Sequence, residues 1–233
     1  MKKKIIAMIP ARIGSKRLKK KNLILINNKP LINYAIDAAK KSNIFYKIVL
    51  NSDHRIFKKI ADKNKIQFYL RPKKLGSSKT RSDDVVYDFI NKFNSDICVW
   101  VNPISPLQTS SEIRRVIKFF VKNKLNSLIT VLNKKVHTIF DKKPINFTLK
   151  GKFELTQNLK PISEMVYSIM MWNSKTFKKS MKLNGHALMH KKIGFYPVSK
   201  SSSIIVKTIE DIKLINQIIN LRKKKNYKFK YFK

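Results

Sequence analysis

Apolar positions along this chain recur with two different periods, and the two alternate. Ile5 to Ile9 is an unbroken apolar run of strand length. From Pro30 to Ala39 the apolar residues fall at Leu31, Tyr34, Ala35, Ala38 and Ala39, a helical stripe with proline at its start. Ile48 to Leu50 is a second strand and ends in Asn51-Ser52-Asp53. Ile56, Ile60 and Ala61 mark a helix, and Ile66 to Leu70 a short strand that runs into Arg71-Pro72. Ser82 to Phe93 carries a helical stripe at Val85, Val86, Phe89, Ile90 and Phe93, with Ser82 as its expected N-cap. Ile97 to Val101 is a fully apolar strand, broken by Asn102-Pro103-Ile104-Ser105-Pro106-Leu107. Glu112 to Phe120 is helical and Leu128 to Leu132 is a further strand.

From Lys134 to Asn173 the pattern loosens. Short apolar pieces such as Ile139-Phe140, Phe147-Thr148-Leu149 and Met165 to Trp172 lie between charged turns, which reads as an antiparallel excursion and a dimer arm. A helical pattern returns at Thr208 to Leu221, with Thr208 as N-cap and Asp211 three residues on. Strands that alternate with helices predict an α/β protein, a three-layer arrangement around a mostly parallel sheet with right-handed crossovers. Ligand loops in such sheets lie at the carboxyl ends of strands. The loop after Ile9, Ser52-Asp53 and Asn102 to Leu107 all fall at such ends.

The size, 233 residues, suits one domain, and an apolar content of 43% is enough for a sizeable core. No apolar run approaches a membrane span, and no signal peptide is read at the N-terminus. The lone cysteine, Cys98, sits in a strand-like run and is expected to be buried and reduced, which suits the cytoplasm. The formal charge of +39 would normally suggest nucleic acid or an anionic membrane. Here the lysines are spread along the whole chain, and most aromatics sit in apolar stripes instead of on a basic face. Neither a nucleic-acid nor a membrane partner is expected, but anionic substrates should be steered in.

The densest chemistry is in Pro10-Ala11-Arg12-Ile13-Gly14-Ser15-Lys16-Arg17-Leu18-Lys19-Lys20-Lys21-Asn22. A tight loop after a strand offers backbone N–H groups to an anion. Arg12 adds a two-pronged fork and Lys21 a compact charge. It is not a P-loop, since GxxxxGK[ST] is absent. This opening resembles that of the CMP-sugar synthetases that activate sialic acids and related nonulosonic acids, the acylneuraminate cytidylyltransferases. Further segments resemble the same family in order and spacing: Asn28-Lys29-Pro30-Leu31-Ile32, Ser52-Asp53, Arg71-Pro72 with Ser82-Asp83, Asn102 to Thr109, and Thr208-Ile209-Glu210-Asp211.

The resemblance implies a Rossmann-like nucleotidyltransferase fold and a homodimer. It also implies transfer of CMP from CTP to a sugar acid, with pyrophosphate released. By carry-over Arg12 and Lys21 would hold the phosphates, and Lys207, at a position where the family has a metal-binding aspartate, completes the expected catalytic set. Ala11, Gly14, Ser15, Asn22, Arg71 and Ser82 would line the nucleotide pocket, and Asn102 and Ser105 would face the sugar. Three departures stand out. Ile13 and Asn28 occupy positions where the family usually has glycine; a non-glycine residue at the first also occurs in the related CMP-Kdo synthetases. The family's Asn-Gly strand reads Tyr167-Ser168-Ile169-Met170-Met171-Trp172 here. The two aspartates that bind Mg²⁺ are replaced by Ile205 and Lys207, and neither offers an oxygen ligand. Lys207 would then supply charge in the metal's place, or catalysis has been lost and binding kept. Asp53 could still support a Mg²⁺ held mainly by the nucleotide. The four histidines show no zinc spacing.

Overall fold

Strand β1 (Ile5–Ala11) forms where the apolar run predicts it and lies inside a seven-stranded sheet. The computed structural model describes residues 3–223. After β1 come a small hairpin of β2 (Leu25–Ile26) and β3 (Lys29–Pro30), α1 (Leu31–Ser42), β4 (Lys47–Ser52), α2 (Ile56–Lys63), β5 (Gln67–Leu70), α3 (Ser82–Lys92) and β6 (Ile97–Val101). The second half holds α4 (Ser110–Lys122), β7 (Ser127–Lys134), a hairpin of β8 (Ile139–Phe140) and β9 (Lys143–Pro144), β10 (Ile162–Asn173), α5 (Ser174–Asn184), β11 (Ile193–Pro197) and α6 (Ile209–Lys223). The main sheet runs β11-β7-β10-β6-β1-β4-β5. Its pairs are parallel except at β10, which is antiparallel to both β6 and β7.

Period-two alternation decides the layers. In β1, Ile5, Ala7, Ile9 and Ala11 face the core formed with α1, α2 and α4, where Ile32, Ile36, Phe57, Ile113 and Ile117 pack. Ile6 and Met8 face the opposite core, with Val86, Phe89 and Ile90 of α3 and Phe177 of α5. Both faces of the strand are therefore covered, which is why it reads as a continuous apolar run. Cys98 is fully buried in the second core, and burial pushes its thiol pKa up.

Several expectations are corrected by packing. The Met165 to Trp172 piece is no peripheral arm. It belongs to β10, between β6 and β7, with Ile169, Met171 and Trp172 fully buried. The antiparallel excursion is thus confined to residues 135–161, which hold the β8–β9 hairpin. Ser82 is the first residue of α3; the N-cap is Arg81, with no side-chain cap. Helix α5 and strand β11 were not read from the sequence at all. Among the residues of α5, Phe177 is the only apolar one that is buried, too thin a stripe for periodicity to find. Its caps were legible. The Asn173 side chain accepts from the Thr176 N–H, and Gly185 ends the helix at φ 70°. The basic tail from residue 224 lies outside the described residues.

Trp172 fills the second core and donates its indole N–H to the Leu188 carbonyl at 2.9 Å. Trp172→Ala should cost about 3–5 kcal/mol of unfolding free energy, as large-to-small core changes do. Urea denaturation followed by circular dichroism measures it, and a loss under 1 kcal/mol, roughly the size of a surface change, would contradict this packing.

Candidate active site

The carboxyl ends of β1, β4, β5 and β6 meet along one edge of the sheet, because their parallel registers are aligned: Ala11 lies beside Ser52, and Ser52 beside Leu70. They open onto a cleft of about 740 Å³. Of the residues expected to form the site, Ala11, Arg12, Ser15, Lys21, Asn22, Arg71, Ser82 and Asn102 line it. Gly14, Ser105 and Lys207 do not. An added Cβ at Gly14 would meet nothing within 4 Å, so the loop does not need glycine there for space. Ser105 is buried with no partner for its hydroxyl. Lys207 is exposed, and its backbone N–H donates to Asp211 at 2.7 Å.

Three of the cleft's cations are held by backbone carbonyls. Arg12 Nη1 donates to the Ser77 carbonyl at 3.4 Å. Lys21 Nζ donates to the Val206 carbonyl at 3.1 Å. The buried Arg71 donates from Nη1 to the Asn51 carbonyl at 2.9 Å and from Nε to the Leu75 carbonyl at 3.2 Å. Burial holds the Lys21 pKa below its ordinary value, and the Arg17 and Arg12 charges lower it further. Burial also lowers Arg71, against the pull of Asp53. Lys16, Arg17 and Lys79 line the same cleft; the sequence signal for the first two was the basic run itself, whereas Lys79 comes from a loop with no motif. Trp100 was missed as well. It lines the cleft with its indole N–H buried and unpartnered.

The Arg12 loop is positioned by Asp53, whose Oδ1 accepts from the Ile13 N–H at 3.2 Å. Gly76 lies so close to this carboxylate that a Cβ at Gly76 would overlap it. Asn102 is tied to β10 by a side-chain bond to the Tyr167 carbonyl and a backbone bond to Ser168, each at 2.9 Å. At the start of α6, Asp211 Oδ2 accepts from the Lys207 and Thr208 N–H groups, and the Thr208 hydroxyl accepts from the Asp211 N–H. This is the reciprocal cap expected of Thr208. Burial would raise the Asp211 pKa, but those donated bonds outweigh it and the net shift is downward.

A protein-held Mg²⁺ needs oxygen ligands. Among the described residues, no carboxylate lines the cleft. Among the described residues, no group of three or more His, Cys, Asp or Glu could hold a metal ion. Asp53 and Asp211 each have one oxygen engaged by N–H groups of their own chain, and neither lines the cleft. The residues present do not fit a resident Mg²⁺. His186 and His190 are no metal pair either. They follow α5 in a turn, and His190 is occupied by the Ala187 carbonyl and the Thr176 hydroxyl.

A parallel-stranded α/β sheet with a cation-lined cleft at its strand ends defines a nucleotide-binding class of protein. Within that class the chain belongs to the cytidylyltransferase family, whose model matches residues 6–227. It is 34% identical over 121 residues to the N-acylneuraminate cytidylyltransferase of Escherichia coli, covering 52% of this chain and 29% of that one. It is 28% identical over 241 residues to the post-translational flagellin modification protein B of Campylobacter coli, covering 98% and 99%. The chain spans about half, or less, of the length of the N-acylneuraminate cytidylyltransferases that it matches. A solved CMP:2-keto-3-deoxy-manno-octonic acid synthetase in complex with CTP shares the fold, with a TM-score of 0.73 at 15% identity over 94% of this chain and 99% of that one.

The two glycines near the loop should respond oppositely. Gly76→Ala should displace Asp53, loosen the Arg12 loop and raise the KM for nucleotide by about tenfold. Gly14→Ala should leave it within about twofold. Steady-state kinetics on both variants checks the contrast; equal effects would contradict the Asp53 pin.

Proposed function

We propose that this chain transfers CMP from CTP to a nonulosonic, sialic-acid-like sugar acid and releases pyrophosphate. The observation that carries the reading is the cleft itself, which Arg12, Lys16, Arg17 and Lys21 line together with Asn102. A hydroxyl oxygen of the sugar acid forms a bond to the α-phosphorus as its proton passes to water, and the bond from that phosphorus to the bridging oxygen breaks, so that pyrophosphate leaves. Charge builds on the leaving pyrophosphate, where prealigned cations stabilise it. Asn22, Arg71, Ser82 and the Ala11–Ser15 loop hold the nucleotide, and Asn102 orients the sugar acid. Lys207, exposed beside the Val206 carbonyl that Lys21 holds, adds long-range charge to the same edge. We propose a cytoplasmic location, which suits the buried free thiol of Cys98.

Two other readings have their own support. The altered strand Tyr167 to Trp172 and the absence of a carboxylate from the cleft favour a binding protein that no longer turns over. Ile13 in the loop favours a CMP-Kdo-type synthetase. Pyrophosphate release from CTP with a panel of nonulosonic acids and Kdo decides among the three. Release with a nonulosonic acid is expected, and Lys21→Met should reduce it by roughly a hundredfold or more, as loss of one charge-stabilising group does. Release with Kdo alone selects the second alternative. No release with any sugar acid, despite CTP binding, selects the first.

We also propose a homodimer built through residues 135–161. That excursion exposes Ile139, Phe140, Ile145, Leu149, Phe153 and Leu155 within one short segment, and apolar side chains grouped at a surface mark a contact site. Light scattering after size exclusion should give twice the chain mass, and Phe140→Lys should reduce it. A monomeric mass for the unaltered chain would sink the proposal.

A further inference from the structure

We propose that the cleft takes its nucleoside triphosphate as the metal-free polyanion, the protein's own lysines and arginines standing where a divalent ion would otherwise neutralise charge. This rests on the nucleotide-binding reading above and goes beyond it by naming the ionic form of the ligand. Among the described residues, six cationic side chains line the cleft, Arg12, Lys16, Arg17, Lys21, Arg71 and Lys79, and no carboxylate does. The three whose bonds define their position are anchored by neutral carbonyls. A carbonyl orients a cation but leaves its charge in place, whereas a carboxylate would cancel it. The charge is therefore held ready for the ligand.

The same edge is hostile to a second cation. The chain passes beside Lys21 at Val206, and the residues on either side of that contact are Ile205 and Lys207. One has no ligand atom and the other carries like charge. Burial of Lys21 among Arg17 and Arg12 leaves repulsion that Asp211 offsets only in part, and an anionic ligand relieves it further. A divalent ion riding on the phosphates cancels about half of the ligand's negative charge, and so weakens each of these contacts. Pyrophosphate, the leaving group, meets the same six cations and should be retained more strongly without a metal.

Calorimetry of the full chain with CTP tests this, in EDTA and in excess MgCl₂, with ionic strength matched by KCl. Binding about tenfold or more tighter in EDTA is expected, since the metal removes so much ligand charge. Binding that requires Mg²⁺, or is equally tight with it, overturns this inference and leaves the cytidylyltransferase reading standing. No binding of CTP in either buffer by folded protein overturns that reading, and this inference with it. Arg17→Gln separates the cleft from the charge of the whole chain. The preference for EDTA should shrink in this variant; an unchanged ratio would mean that overall charge sets it, and would also overturn the inference.

Discussion

Like charges at one edge of a sheet repel one another, so something must hold them in place. Here backbone carbonyls do it. Arg12 rests on Ser77, Lys21 on Val206, and Arg71 on Asn51 and Leu75. The bonds to Ser77, Val206 and Asn51 tie separate segments together as well as fixing a cation, so the shape of the cleft and its charge have the same cause. The cost is visible at Lys21 and Arg71, where burial works against the charged form. An anionic ligand relieves that cost, which couples occupancy of the cleft to its order.

The scaffold makes this arrangement possible. Parallel pairing of β6, β1, β4 and β5 brings four carboxyl ends to one line. Asp53, at the end of β4, then receives the Ile13 N–H across the gap and sets the Arg12 loop. Gly76 closes over the same carboxylate because no side chain would fit. Asp53 therefore has a positioning part in the site, distinct from the metal support that a reading of the chain alone would give it.

Two departures from the family pattern have local explanations. Asn28, in a position usually held by glycine, lies in the left-handed region at φ 59° beside Asn27 at 48°, and asparagine tolerates that geometry in a two-residue turn. Ile13, also in a glycine position, is not left-handed; its side chain packs on the core and its N–H is used by Asp53. The departure at Ile205 and Lys207 has no such local remedy. It removes oxygen ligands from the cleft edge, and the cations described above remain there with no carboxylate among them.

What the sequence determined by itself was local. Apolar periodicity was enough for β1, α1, β4, β6 and α4, because burial of one face or of two leaves its period in the chain. The Pro10–Asn22 run and Asn102 could be placed at strand ends, and Thr208 with Asp211 at a helix start, because these depend on near neighbours. The tertiary structure alone decided the rest. It set β10 antiparallel in the middle of the sheet, since a buried strand reads the same in either direction. It formed α5 around a single buried aromatic. It brought Val206 to Lys21 across 185 positions and Lys79 to Arg12 from separate loops. It moved Gly14, Ser105 and Lys207 out of the cleft lining. Contacts between distant segments carry no period and no spacing, so only the folded chain reveals which charges face one ligand.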